Sequence, residues 1–257
     1  MQSPLRTTFV TAAALLLAAT SITLSARQTP QTRAVDDATL LKPAPGDWVD
    51  AGRGYAETHH SPLTQIDQSN VSRLAPAWSV EVGSQGKIET TPIVANGVLY
   101  GTSTYSVVYA VDAKTGALKW RWDPALVKGG IADGAARFCC GPVNRGVAVY
   151  KDKVYVGLLD GRLVALNAET GHVAWAVQTT PVGKDYSITG APRIVKGKVV
   201  IGNGGGEYGV RGFLTAYDAE TGKQAWRWWV VPGDPAKGLE DRSMEMAVRS
   251  WKGEWYK

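Results

Sequence analysis

From Trp48 onward the chain alternates short apolar runs of Val, Ile, Leu and Tyr with breaks of Gly, Asn and Asp. Pro92 to Tyr100 is one such run, followed by Val107-Val-Tyr109; Gly146 to Tyr150 precedes Val154-Tyr-Val156; Arg193-Ile-Val195 precedes Val199-Val-Ile201. Short β-branched and aromatic runs bounded by turn formers read as strands, and a helical period is absent.

Each pair of runs is followed by the same sentence. Ala110-Val-Asp-Ala-Lys-Thr-Gly116-Ala-Leu-Lys-Trp120 matches Ala165-Leu-Asn-Ala-Glu-Thr-Gly171-His-Val-Ala-Trp175 and Ala216-Tyr-Asp-Ala-Glu-Thr-Gly222-Lys-Gln-Ala-Trp226. A strand ends at Asp or Asn, the Thr-Gly turn supplies a residue free to take positive φ, and a second strand carries Trp. Four short antiparallel strands in each repeat of roughly 50 residues predict an all-β fold of propeller blades. A strand-rich sandwich does not explain a Trp repeated at a fixed offset. Three complete repeats and an opening strand near Trp78 are visible, so the sequence reads as an unfinished propeller, a fragment with an uncovered last blade.

The N-terminus changes the picture by giving an address. Arg6 precedes an apolar run from Phe9 to Leu24, then Ser25-Ala26, with no acid before Asp36. The run falls short of the approximately 20 residues that span a bilayer, so residues 1–26 are expected to be a cleaved signal peptide and the mature chain periplasmic, without a membrane span. Residues 27–46, with Pro30, Pro43 and Pro45, read as a flexible leader, and 47–257 as blades. The net charge is +5, but Lys and Arg are interspersed with Asp and Glu, which argues against nucleic acid.

The only cysteines, Cys139 and Cys140, are neighbours. Cα atoms across one peptide lie about 3.8 Å apart, below the roughly 4.4 to 6.8 Å of ordinary disulfides, so a bridge would close a small strained ring that staples almost nothing. Two unpaired thiols packed as small hydrophobes are the alternative. Export to an oxidising compartment favours the bridge, a flat apolar ledge. His59 and His60 are adjacent but lack a third ligand at sensible spacing and read as a polar loop. Lys184 and Asp185 have no assignable role.

Further segments complete a pattern: Ser61-Pro-Leu-Thr-Gln-Ile66, Asn70-Val-Ser-Arg-Leu74, Glu89-Thr-Thr-Pro92, Arg145 after the cysteines, Thr189-Gly-Ala-Pro192, Gly204-Gly-Gly-Glu207-Tyr-Gly and Arg211-Gly-Phe-Leu-Thr-Ala216. In this order, with the Trp repeats, they resemble the periplasmic pyrroloquinoline-quinone (PQQ) alcohol dehydrogenases, the methanol and ethanol quinoproteins and their haem-bearing relatives. The resemblance covers nearly everything after Gly46 and implies an eight-bladed propeller of which about the first half is present.

It also implies a site. One face of the cofactor would lie on a Cys139–Cys140 disulfide, with Arg145 beside the quinone oxygens, since forked donors suit carboxylate and reduced quinone alike. Glu89 would accept near the ring system, Thr189 would donate its hydroxyl to a carboxylate, and Gly204, Gly205 and Gly206 would let the backbone approach. Glu207 would ligate calcium, an oxygen-seeking cation, or a lanthanide in its place. The glycine run lacks the helix and the Gly-Lys-Ser/Thr ending of a phosphate loop. By the same resemblance, primary alcohols are oxidised to aldehydes, electrons pass to a cytochrome c, and a C-terminal haem c domain sometimes follows. The family's aspartate base lies beyond Lys257, so no catalytic residue is expected within this chain and the chain alone is expected not to turn over alcohol. A non-catalytic scaffold of the same repeat type is the alternative, but such scaffolds lack the vicinal cysteines, the matching arginine and the Gly-Gly-Glu segment. A membrane-bound sugar dehydrogenase of the same cofactor class would need several spans ahead of the propeller.

Overall fold

The computed structural model describes residues 34–84, 86–126, 138 and 140–256. The expected signal peptide at 1–26, the first part of the leader and Cys139 lie outside the described residues. Among those described, twelve strands form three four-stranded antiparallel sheets. The first holds β1 (Ile93–Ala95), β2 (Val98–Thr102), β3 (Val108–Asp112) and β4 (Leu118–Trp122). The second holds β5 (Ala148–Tyr150), β6 (Lys153–Gly157), β7 (Arg162–Asn167) and β8 (Val173–Gln178). The third holds β9 (Arg193–Val195), β10 (Lys198–Gly202), β11 (Phe213–Asp218) and β12 (Gln224–Trp229). Each sheet pairs its strands in chain order, the arrangement of a propeller blade. The short first strands β1, β5 and β9 are the ones that meet between sheets, with β5 against both of the others.

The repeated sentence builds the same hairpin three times. Asp112, Asn167 and Asp218 each accept, through one side-chain oxygen, the backbone N–H two and three residues on and a Thr hydroxyl. That turn hands over to Gly116, Gly171 and Gly222 at φ 73°, 72° and 69°. A register shift then follows at the same place in each blade, beside Ala110, Ala165 and Ala216.

These glycines are needed for packing as well as conformation. A Cβ on Gly171 would lie 2.7 Å from Trp120, and one on Gly222 would lie 2.8 Å from Trp175. Each Trp lies on the turn of the following blade: Trp120 Nε1 donates to Ala168 O at 2.9 Å and Trp175 Nε1 to Ala219 O at 3.1 Å. The hydroxyls of Tyr100 and Tyr155 donate to the same two carbonyls. Buried in this way without a counter-charge, the Tyr100 phenol is pushed up to about 12 and Tyr155 higher still.

One expectation is corrected. No strand forms near Trp78; its indole nonetheless docks on Gly116 and donates to Ala113 O at 3.2 Å, as its counterparts do. The end of the expected leader, from residue 34 onward, packs on the blades. Asp36 caps α1 (Asp37–Leu41), Val35 and Leu40 are each 2% exposed, and isolated bridges join Val35 to Lys151 and Trp48 to Val94. Further on, Tyr55 donates to Ile194 O at 2.8 Å, and Arg193 pairs with Asp50 and Glu57. Buried Val35 and Leu40 together with the contacts of Trp48, Asp50, Tyr55 and Glu57 make residues 34–57 a strap touching all three blades. A second helix, α2 (Arg242–Ala247), capped by Asp241, was not anticipated; it buries Met244. Among the described residues no helix is long and apolar enough to cross a membrane.

Candidate functional site

The chain enters each blade through a segment just before its first strand, and each of the three segments contributes one residue to a single cluster. Glu89 precedes β1, Arg145 precedes β5 and Thr189 precedes β9. The Arg145 guanidinium pairs with Glu89 Oε2 at 3.0 Å and donates to Thr189 Oγ1 at 2.8 Å. The backbones join too: Thr91 N donates to Arg145 O at 3.1 Å and Arg145 N to Thr189 O at 2.9 Å. Three residues separated by long stretches of sequence are therefore held edge to edge where the blades meet.

Arg145 and Glu89 keep 43% and 34% of their side-chain surface exposed. The guanidinium is thus positioned by two partners and still open to an anion, which its fixed fork can bind through paired donors.

The glycine segment lies next to this cluster. Gly204 bridges Ser187, two residues before Thr189, through a bond from Gly204 N to Ser187 O at 2.8 Å. Gly205 stands at φ 109°, and a Cβ there would come 2.1 Å from Asp185 O, so that position requires glycine. Nothing lies within 4 Å of a Cβ on Gly206, whose glycine is not demanded by neighbours. Glu207 is exposed in a short 3-10 turn (Gly206–Tyr208). Among the described residues no group of three or more His, Cys, Asp or Glu side chains is placed to hold a metal ion. Glu207 belongs to no such group.

Cys140 is exposed at the start of the segment leading to Arg145. Its expected bridge partner lies outside the described residues. Downstream the segment is fixed to the first blade, with Tyr105 N donating to Pro142 O at 2.8 Å, while Val143 and Asn144 are 1% and 2% exposed. Tyr105 and Ser106 both take left-handed backbone at φ 59°, a conformation that non-glycine residues adopt only where surroundings enforce it.

Several residues given no role by the sequence build the cluster. Thr90 Oγ1 accepts from Thr102 N, and Thr102 Oγ1 donates to Asn144 O at 3.0 Å. Asn144 is fully hydrogen-bonded in the interior. Thr90 falls inside the Glu89-Thr-Thr-Pro92 segment and Asn144 lies beside Arg145, but no local pattern pointed to Thr102. His59 and His60 are exposed.

Comparison with known proteins gives this geometry a family. The family model described as the glucose/ethanol/alcohol dehydrogenase β-propeller domain of PQQ proteins matches residues 48–255. The quinohemoprotein alcohol dehydrogenase ADH IIB of Pseudomonas putida is 49% identical over 100% of this chain and 35% of its own length. The 1-butanol dehydrogenase (cytochrome c) of Thauera butanivorans is 48% identical over 81% of this chain and 30% of its own length. The solved structure of quinohemoprotein alcohol dehydrogenase ADHIIG from Pseudomonas putida superimposes with a TM-score of 0.82 at 50% identity, covering 88% of this chain and 33% of that one. The chain spans about a third of the length of the curated relatives it matches. With three blades built on one repeat and the entry segments of all three joined at Arg145, the chain belongs to the PQQ alcohol dehydrogenase β-propeller family.

Proposed function

We propose that this chain supplies one side of the PQQ site of a periplasmic quinoprotein alcohol dehydrogenase, acting on small primary alcohols with a cytochrome c as electron acceptor. The observation that carries the reading is the junction of Glu89, Arg145 and Thr189, one from each blade, around a half-exposed guanidinium. PQQ is a planar tricarboxylate, and the donor set fits it: a forked cation, a hydroxyl and close-approach glycine backbone at Gly205. The names of the relatives, quinohemoprotein alcohol dehydrogenase and 1-butanol dehydrogenase (cytochrome c), support the substrate class and acceptor. They also suggest haem c elsewhere in the complete protein.

The chemistry such a cofactor would supply is two-electron oxidation of the alcohol. Arg145, held in place by Glu89 and Thr189, would offer the cofactor a fixed positive charge. Thr189 Oγ1 already accepts from Arg145, which leaves its own proton free to donate to a cofactor carboxylate. Glu207 would furnish a carboxylate oxygen to calcium or a lanthanide, completed by ligands from other segments. A Cys139–Cys140 disulfide would give the ring system an apolar face.

The test is equilibrium titration with PQQ of protein expressed from the complete reading frame, followed by difference absorbance with and without calcium. Saturable binding that weakens in Arg145→Ala supports the reading; binding indifferent to that substitution, or none with or without calcium, overturns it.

A further inference from the structure

Asn144 stands beside Arg145, yet it is 2% exposed and faces the interior. Its side-chain oxygen accepts from Gly146 N at 3.0 Å, closing a ring whose central residue is Arg145. A side chain that bonds the backbone two residues on fixes the torsions of the residue between. Both amide protons are also used: Asn144 Nδ2 donates to Ser106 Oγ at 3.0 Å and to Gly157 O at 2.8 Å. The backbone carbonyl of Asn144 accepts from Thr102 Oγ1.

Ser106 and Thr102 belong to the first blade, and Gly157 ends β6 of the second. One buried amide therefore measures the spacing between two blades and transmits it to the peptide units on either side of Arg145. Gly146, the far end of the ring, takes φ 127°, and a Cβ there would lie 3.0 Å from Thr91 O, the segment that also donates to Arg145 O.

We propose that Asn144 is the positioning residue for Arg145: it sets the direction in which the guanidinium leaves the backbone, and so its simultaneous reach to Glu89 and Thr189. Its bearing on anion binding rests on the PQQ reading above; its hold on Arg145 does not. Alanine would free the Arg145 torsions. Aspartate would keep the acceptor for Gly146 N but set an oxygen against Gly157 O, where a donor is needed.

The test is the rate at which phenylglyoxal labels each arginine, followed by peptide mass spectrometry, in protein expressed from the complete reading frame and without cofactor. In Asn144→Ala, Arg145 is expected to label on the order of fivefold faster, the scale of one lost hydrogen-bonded restraint, while Arg162 and Arg227 label as before. A purely structural role would accelerate all three together, and that result, or an unchanged Arg145 rate, overturns the proposal. Should Asn144→Ala not fold, Ser106→Ala deletes a single acceptor of the amide and is expected to speed Arg145 alone by a smaller factor; no change there also overturns it. PQQ titration of the same variants separates the two readings. Labelling that responds while PQQ affinity does not leaves the positioning role standing and removes the cofactor reading.

Discussion

Arg145 and Thr189 are joined twice, once through their backbones at 2.9 Å and once from guanidinium to hydroxyl at 2.8 Å. The first bond sets the distance between the entry segments of the second and third blades. The second bond spends that fixed distance on orienting a charge.

The two bonds can be separated by substitution. Thr189→Val keeps the backbone bond and the side-chain volume but removes the acceptor for the guanidinium. The loss of one partly exposed bond to a charged donor is expected to cost about 1 kcal/mol, roughly a fivefold weaker PQQ affinity by titration. Thr189→Ser, which keeps the hydroxyl, is expected to bind within about twofold of the parent by the same argument.

The turns give a second contrast. Gly171→Ala must accept both a left-handed backbone and a Cβ placed 2.7 Å from Trp120, whereas Gly197→Ala meets only the backbone cost, since its nearest neighbour is Tyr150 Oη at 3.9 Å. Urea unfolding is expected to show a loss of about 2 to 4 kcal/mol for the first and about 1 kcal/mol for the second. Equal losses would mean that the Trp gives way without penalty.

The repeats were legible because every blade states the same turn, Asp or Asn through Thr-Gly to Trp, and local hydrogen bonds decide it. The strap was not. Its path is set by contacts such as Tyr55 with Ile194 and Val35 with Lys151, far apart in sequence, which a run of prolines does not announce. Trp78 shows a different limit. The apolar alternation around it suggests a strand, but a strand needs a neighbouring backbone to pair with, and among the described residues none lies there. In the site, Glu89, Arg145, Thr189 and the glycines were named through the resemblance to a family, and the structure brings the first three together. Asn144 was not, because a buried amide acquires meaning only from partners such as Ser106, 38 residues away.

A charge network between the second and third blades predicts an acid response. Hydrogen bonds from Lys153 and Lys151 hold the Glu220 carboxyl below its usual 4.5. A depressed carboxyl stabilises above its unfolded value and loses that contribution as pH falls through the folded one. Hydrogen bonding and charge from Glu220 raise Lys151 above 10.5; at Lys153 burial opposes the shift, but bonds to Asp152 and Glu220 outweigh it, so both contributions last until strongly alkaline pH. The groups are largely solvated, which limits the Glu220 contribution to under about 1 kcal/mol. Glu220→Gln is therefore expected to show a flatter fall in urea midpoint between pH 5 and pH 3 than the parent, with little difference between pH 6 and pH 8.

The last prediction concerns what Arg145 does that another cation would not. Its pair with Glu89, at 3.0 Å and partly exposed on both sides, is worth little as a stabilising ion pair, so Arg145→Lys is expected to leave the unfolding free energy within about 0.5 kcal/mol. Function should separate from stability. One guanidinium nitrogen meets Glu89 and the other meets Thr189, and the rigid plane between them keeps the remaining donors in one direction. An ammonium on a flexible stem carries the same charge but cannot hold both partners and present a fork at once. PQQ affinity is expected to fall about tenfold in Arg145→Lys, twice or more the loss in Thr189→Val, because both the fork and its anchoring are removed. Raising the salt concentration should weaken both proteins in parallel, since the charge is unchanged. A lysine variant that binds as tightly as the parent would show that charge alone, without the geometry imposed by three blades, is what the site provides.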